Sequence, residues 1–135
     1  MLMPSTYDEL YIYTIGRPGF ILQHVVDAHG AQSAAEDESP IRLVFSLVGL
    51  YLRIEKGFSG QAVQKIHMQL GKEKRAWPRL ALPIRRGALT PTDVLAAPEG
   101  SERDAAIDAW CASVWAAFED SHSVVVALLR EHGIA

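Results

Sequence analysis

Residues 39–57 read SPIRLVFSLVGLYLRIEKG. Ser39 suits the N-cap of a helix, Pro40 suits the first helical turn, where its missing N–H is harmless, and Gly57 marks an end. Nearly every position between them is apolar, which predicts a helix enclosed by other helices. Gly49 in its middle predicts that a neighbouring element approaches this helix closely. We therefore expect an all-α protein built around this segment.

About four further helices are predicted around the central one. Thr6 and Glu9 have the spacing of a capping box, and Ser59 suits an N-cap. Apolar residues at helical spacing then predict helices over residues 7–15, 20–35, 59–76 and 101–132, of which the last is the longest. Residues 77–100 are rich in proline and glycine, which predicts an irregular segment with one helical turn behind Thr90. The whole chain, residues 1–135, is expected to form a single-domain bundle of about five helices.

The composition bounds the class of protein. The chain has 135 residues, of which 49% are hydrophobic and 21% charged, and its formal net charge is -3. This is a globular composition, not that of a disordered or strongly nucleic-acid-binding chain. A single cysteine, Cys111, excludes an internal disulfide. No leader and no apolar run near the ~20 residues of a membrane span occur, so we expect a cytoplasmic protein with no membrane contact.

Histidines at core-facing positions of separate helices are the feature that points to chemistry. His67 lies on the apolar stripe of the fourth helix and His122 on that of the last, whereas His24 and Asp27 are three residues apart on the second. Imidazoles with a carboxylate suit Zn, Ni, Fe or Mn, and facing helices of a bundle can bring them together. We predict one divalent metal held by His24, His67 and His122, with Asp27 as fourth ligand or orienting group.

This metal hypothesis implies an enzyme, and the sequence leaves open whether it is a hydrolase or a transferase. Glu119, three residues before His122, is the candidate catalytic base. A metal-bound water at an open coordination position would serve a metal-dependent hydrolase or transferase acting on a small molecule. The sequence indicates no substrate.

The same histidines also fit a structural polar network, in which each ring bonds a backbone carbonyl or a carboxylate. In this alternative the protein is a non-catalytic structural or interaction protein and a homodimer. Its last helix, which carries Trp110 and Trp115, then forms the interface. Ligand atoms that converge at ~2.0–2.2 Å on one point indicate the metal, and rings bonded to carbonyls indicate the network.

A cluster of basic residues supports a third, weaker hypothesis of phosphate or nucleic-acid binding. The cluster contains Lys72, Lys74, Arg75, Arg79, Arg85 and Arg86, with Glu73 as its one acidic residue. A nucleic-acid surface normally has a wider positive field and several exposed aromatic residues, but only Trp77 lies here. A solvated helix end and loop is the favoured interpretation, and nucleic acid is disfavoured as a partner.

Several strings of the chain resemble a bacterial family of small all-α proteins of unknown function. They are Gln23-His-Val-Val-Asp-Ala28 with Gln32, Val48-Gly-Leu-Tyr-Leu52, Glu55-Lys-Gly-Phe-Ser-Gly60, Ile66-His67, Ala76-Trp-Pro78 and Asp93-Val94, with Trp110 and His122. The resemblance covers nearly the whole chain and implies that His24, Asp27, His67 and His122 are among the family's characteristic positions. A more distant resemblance is to the DinB-like metal-binding helical bundles. Their late H-x-x-x-H pair is absent, and Glu119-x-x-His122 stands in its place.

Overall fold

The computed structural model describes residues 5–134. Its α-helices are α1 (Thr6–Thr14), α2 (Leu22–Gln32), α3 (Pro40–Ile54), α4 (Gly60–Gly71), α5 (Pro91–Leu95), α6 (Ser101–Ala117) and α7 (His122–Glu131). Two 3-10 helices, Pro18–Phe20 and Glu119–Ser121, precede α2 and α7. No strand occurs in this part of the chain. The predicted all-α class is confirmed.

Helix α3 is the centre of the fold, as its apolar sequence predicts. It packs against α2, α4, α6 and α7. Leu47, Val48 and Leu52 of α3 are completely buried, and they join Trp110 of α6 and Leu129 of α7 in one hydrophobic core. An enclosed helix gains stability mainly from this burial, at about 25 cal/mol per Å² of apolar surface.

The N-terminal caps are partly as predicted. Ser59 accepts a hydrogen bond from the backbone N–H of Ala62 at 3.2 Å and caps α4. The capping box of α1 lies one residue earlier than expected: the Ser5 hydroxyl accepts from the Asp8 N–H at 3.1 Å, and the Asp8 carboxylate accepts from the Ser5 N–H at 3.4 Å. The prediction for Thr6 and Glu9 was wrong because the same spacing recurs one residue apart.

The predicted single helix over residues 101–132 is two helices. Phe118 leaves the helical conformation, with φ -96° and ψ 28°, and the 3-10 turn Glu119–Ser121 separates α6 from α7. In a continuous helix the Trp115 carbonyl would accept from the N–H of residue 119. Here it accepts from the Phe118 N–H at 3.1 Å and from the His122 ring at 2.7 Å. A side-chain donor has therefore replaced one backbone hydrogen bond of the helix.

The irregular segment 77–100 is tied to the end of α2. Gln32 donates through Nε2 to the carbonyls of Arg86 and Leu89 at 3.1 and 2.7 Å, and its Oε1 accepts from the Trp110 indole at 3.0 Å. Arg86 in turn donates to the carbonyls of Gln32 and Ala34. The bonds from Arg86 satisfy backbone carbonyls that have no helical partner at the C-terminal end of α2. Within residues 5–134, no helix has both the length and the apolar character needed to cross a membrane.

Candidate functional site

A cleft of about 420 Å³ opens beside α2, α3 and α4, and we call it the Asp27 cleft. Two aromatic pairs belong to its walls. The rings of Tyr7 and His29 are stacked at 3.7 Å between centroids, and those of Phe45 and His67 at 5.4 Å. The polar side chains Gln23, Asp27, Glu38, Arg42 and Ser46 also line it. The cleft therefore combines apolar ring faces with a small set of polar groups, as ligand sites do.

Asp27 is a buried carboxyl group on the wall of this cleft, with 3% of its surface exposed. Its Oδ1 accepts from Gln23 Nε2 at 3.1 Å, whereas Oδ2 is buried without a hydrogen-bond partner. Burial raises the pKa of Asp27 well above its ordinary value, and the Gln23 bond lowers it by less. The low dielectric of the interior disfavours the charged form, so the carboxyl group holds its proton to higher pH than an exposed one.

His67 faces Asp27 from α4 with a defined tautomer. Its Nε2–H donates to the Phe45 carbonyl at 2.8 Å, which leaves the Nδ1 lone pair as an acceptor. Burial lowers the pKa of His67, and the bond to Phe45 opposes that change. The neutral ring thus presents an acceptor atom, not a positive charge, to the cleft.

Gln23 joins the two groups. Its Nε2 lies 3.1 Å from Asp27 Oδ1 and 3.4 Å from His67 Nδ1, so two acceptors converge on one nitrogen. Spacing along the sequence does not identify Gln23 as a site residue, because a glutamine one turn before an aspartate is an ordinary helix-surface pattern. Its partner His67 is 44 residues away and only the fold brings it near.

His24 lies elsewhere on α2, outside the lining of the Asp27 cleft. It is 1% exposed, and both ring nitrogens lack a hydrogen-bond partner. The pKa of His24 is lowered to about 4, first by burial and then by the positive charge of Arg53, whereas the charge of Asp108 opposes both. Cys111 of α6 donates its thiol to the His24 carbonyl at 3.5 Å. Burial also raises the pKa of this thiol, so Cys111 is a protonated core residue.

His122 and Glu119 are not part of the Asp27 cleft. The His122 ring is stacked on Trp115 at 3.6 Å and donates from Nε2 to the Trp115 carbonyl. Glu119 is exposed on the 3-10 turn, and Glu55 accepts from the Trp115 indole at 3.0 Å. Across residues 5–134, no group of three or more His, Cys, Asp or Glu side chains is arranged to hold a metal ion.

Much of the basic cluster serves the fold. Arg79 donates to the carbonyls of Glu36 and Glu38 at 2.9 and 3.3 Å, and Arg75 pairs with Glu131 at 3.3 Å. Together with the bonds of Arg86, these contacts attach the residues after α4 and the irregular segment to the rest of the bundle. Three of the cluster's cations thus have intramolecular partners.

The tryptophans of α6 do not form an external surface. Trp110 is completely buried and Trp115 is 3% exposed. The two rings are covered within one molecule and offer no surface to a second copy, whereas α6 also has exposed residues such as Ala105 and Ala109. A homodimer through another surface stays a prediction.

Comparison with known proteins adds a family and no activity. Neither a curated protein nor a solved structure matches the chain. Residues 5–119 match a family profile, and this range includes His24 and all of the Asp27 cleft but excludes His122. The resemblance to a family of unknown function is thereby confirmed. On that match, the chain belongs to DUF5946, a family of unknown function.

Proposed function

We propose that the protein binds a small molecule with an ammonium group, whose nitrogen takes the place of Gln23 Nε2 between Asp27 and His67. The observation that carries this proposal is the convergence of Asp27 Oδ1 and His67 Nδ1 on one nitrogen at 3.1 and 3.4 Å. Gln23 is a half-buried side chain on the cleft wall, and a different rotamer of it would release both acceptors.

The two distances favour an N–H donor over a metal ion at this point. Hydrogen bonds from nitrogen span about 2.7–3.2 Å, whereas bonds from zinc to nitrogen or oxygen span ~2.0–2.2 Å. An ammonium nitrogen therefore fits with small adjustments. A metal would require Asp27 and His67 to move toward each other.

The surroundings suit a cation with an apolar body. His29 and His67 are held neutral because burial lowers the pKa of each ring, so neither repels a positive charge. An ammonium group beside Asp27 favours the ionised carboxylate, and binding then releases the proton that burial retains. Affinity is accordingly expected to increase with pH until Asp27 is ionised in the free protein.

The test is binding of n-alkylamines from ethylamine to hexylamine, compared with the alcohols of equal length, by calorimetry and amide chemical shifts. We expect the amines to bind and to shift residues 23, 27 and 67. Asp27→Asn removes the charge with little change of shape and should weaken binding about tenfold or more, since hydrogen bonds to charged groups are the strong ones. Asp120→Asn, at an exposed site, is the matched control. Amines that bind no better than alcohols would refute the proposal.

A divalent metal ion is a second candidate occupant, favoured by a separate observation. Among residues 5–134, the buried side-chain nitrogen and oxygen atoms without a partner are His24 Nδ1, His24 Nε2 and Asp27 Oδ2. These atoms belong to the pair that the sequence places three residues apart on α2. One nitrogen of the His24 ring and Asp27 Oδ2 would serve as ligands of Zn, Ni, Fe or Mn, with His67 as a further ligand, and a metal-bound water would provide hydrolase or transferase chemistry.

Elemental analysis of untagged protein purified without chelator tests the metal. Near-stoichiometric metal that His24→Ala and His67→Ala both lose supports it, with His122→Ala as the control that retains it, because His122 is stacked on Trp115. Absence of metal from the wild type excludes this occupant and leaves the ammonium proposal unaffected.

The non-catalytic alternative has support of its own in the bonds of two histidines. His67 and His122 each donate Nε2–H to a backbone carbonyl, at 2.8 and 2.7 Å. Such bonds are those of a structural network. If neither amines nor metals bind, this alternative is the one to pursue, and sedimentation then tests for a homodimer.

A further inference from the structure

The Asp27 cleft carries a positive charge as well as an acidic one. Arg42, on the first turns of α3, lines the cleft and is exposed. In the described part of the chain its guanidinium takes part in no ion pair, in contrast to Arg17, Arg53, Arg75 and Arg103. A guanidinium presents several donors in a planar fork that matches a carboxylate. The exposed part of the cleft therefore offers a site for an anion.

The two charges are arranged along one face of α3. Arg42, Ser46 and Gly49 follow one another at spacings of four and three residues, so they lie on the same face. Asp27 packs against Gly49, and Ser46 and Arg42 continue the lining toward solvent. At ~1.5 Å per residue, Arg42 and Gly49 are roughly 10 Å apart along the helix axis. The backbone positions that carry Arg42 and contact Asp27 are thus about two helical turns apart, which favours a ligand whose two charges are several bonds apart.

We propose that the ligand is zwitterionic: its ammonium group binds between Asp27 and His67, and a carboxylate several bonds away pairs with Arg42. This inference rests on the proposed ammonium binding and adds the second recognition group. The stacked pairs Tyr7–His29 and Phe45–His67, which line the cleft, provide apolar surface for the chain that joins the two charges.

Glu38 is the remaining charged group of the cleft, and it is half-buried. Its carboxylate makes no ion pair with Arg42, but its negative charge in the same cleft repels a ligand carboxylate. Glu38→Gln should therefore strengthen binding of a zwitterion slightly. Glu38→Gln should instead weaken binding of a ligand with two ammonium groups. The direction of the change in affinity therefore distinguishes a zwitterionic ligand from a diamine.

The experiment measures affinity for linear ω-amino acids from glycine to 6-aminohexanoate, and for n-alkylamines of matched length, on the full chain. For wild type we expect the longer amino acids to bind more tightly than their matched amines, because only they reach both charges. Arg42→Gln should remove that advantage, a loss of about two- to fivefold for a partly exposed ion pair, and should not weaken binding of the amines, because it removes a positive charge from the cleft. Arg85→Gln, at an exposed position outside the cleft lining, is the matched control.

The outcomes separate this inference from the proposal on which it rests. Amines that bind with no gain from a carboxylate, and with no effect of Arg42→Gln, overturn the zwitterion and leave ammonium binding in place. Failure of every amine and amino acid to bind overturns both. Because Arg42 is exposed, Arg42→Gln is expected to fold normally, and its circular dichroism spectrum verifies this.

Discussion

The Asp27 carboxyl group occupies the space that a side chain at Gly49 would fill. A Cβ built at Gly49 would collide with Asp27 Oδ2, so the central helix accepts this carboxyl group only because residue 49 is glycine. Glycine inside a helix costs up to about 1 kcal/mol relative to alanine. Gly49 nevertheless lies at the contact between α3 and α2. The position of Asp27 therefore depends on the absence of a methyl group at residue 49.

Gly49→Ala should therefore destabilise the protein by about 1–3 kcal/mol, because the added methyl group overpacks the interface between α2 and α3. Urea unfolding measures the change. Gly71→Ala is the matched control, since its Cβ would meet only Phe45 at 3.9 Å, and we expect it to be neutral or slightly stabilising.

The double variant Asp27→Ala/Gly49→Ala tests the pairing directly. Removing the carboxyl group makes room for the methyl group, so the combined cost should be smaller than the sum of the two single costs. Strict additivity would show that the collision is relieved by movement elsewhere.

Asp27 should make the protein less stable as pH increases. The folded state raises the pKa of this carboxyl group through burial, so above the ordinary pKa the unfolded chain binds fewer protons than the folded one. Stability from this group is complete below about pH 4 and is lost as pH increases through the folded pKa. Asp27→Asn should abolish that loss, so its unfolding free energy relative to wild type should increase from pH 5 to pH 8.

Asp104→Asn provides the contrast for this experiment. The pKa of Asp104 is lowered by its bonds to Arg17 and Tyr13, although desolvation, the largest effect, opposes them. Its contribution to stability is present above the ordinary carboxyl pKa and is lost as pH falls. A relative gain for Asp27→Asn that did not grow with pH would mean that Asp27 is ionised in the folded protein.

His24 should produce the opposite dependence in acid. Its folded pKa is about 4, below the ordinary value of 6.5, so only the unfolded chain takes up a proton between these values. Stability is then lost as pH falls from about 6.5 to 4, by about 3 kcal/mol in total. His24→Leu removes a buried ring without hydrogen bonds, and we expect it to be at least as stable as wild type at pH 7.5 and markedly more stable at pH 4.5.

This variant also bears on the metal. If His24 ligates a metal in the purified protein, His24→Leu should lower stability at pH 7.5, because bound metal stabilises the folded state. Thermal unfolding of both proteins with and without chelator distinguishes the two cases.

The sequence predicts those features of the fold, such as helix starts and caps, that depend on residues adjacent in the chain. The start of α3 at Pro40 and the cap at Ser59 are local signals, and both are reproduced in the structure. Helix α3 ends at Ile54, before the predicted end at Gly57, and the Ser39 side chain makes no capping hydrogen bond. The break at Phe118 was not predicted, because the apolar stripe runs through it without interruption. At the break the His122 ring donates to the Trp115 carbonyl, a contact that apolar spacing does not encode.

The residues of the candidate site likewise fall into those that helical spacing predicts and those that only the fold identifies. His24 and Asp27 were chosen because helical spacing places them together, and both prove to be buried polar residues. Gln23 was missed because its importance comes from His67, on another helix. Gly49 was expected to admit a close neighbour, but nothing local identifies that neighbour as the Asp27 carboxyl group.

Gln32 provides the last prediction, because one side chain links three elements. It donates to two carbonyls of the irregular segment and accepts from the Trp110 indole, which is completely buried. Gln32→Ala leaves that N–H without a partner, at a cost of about 1–3 kcal/mol. Gln32→Glu keeps the acceptor for Trp110 and loses both donors, so it should loosen residues 86–89 with a smaller effect on the core.

Hydrogen exchange should then increase near residues 86–89 in both variants and around Trp110 only in Gln32→Ala. Equal protection of the segment in wild type and both variants would mean that Arg86, through its own bonds to α2, is enough to hold it.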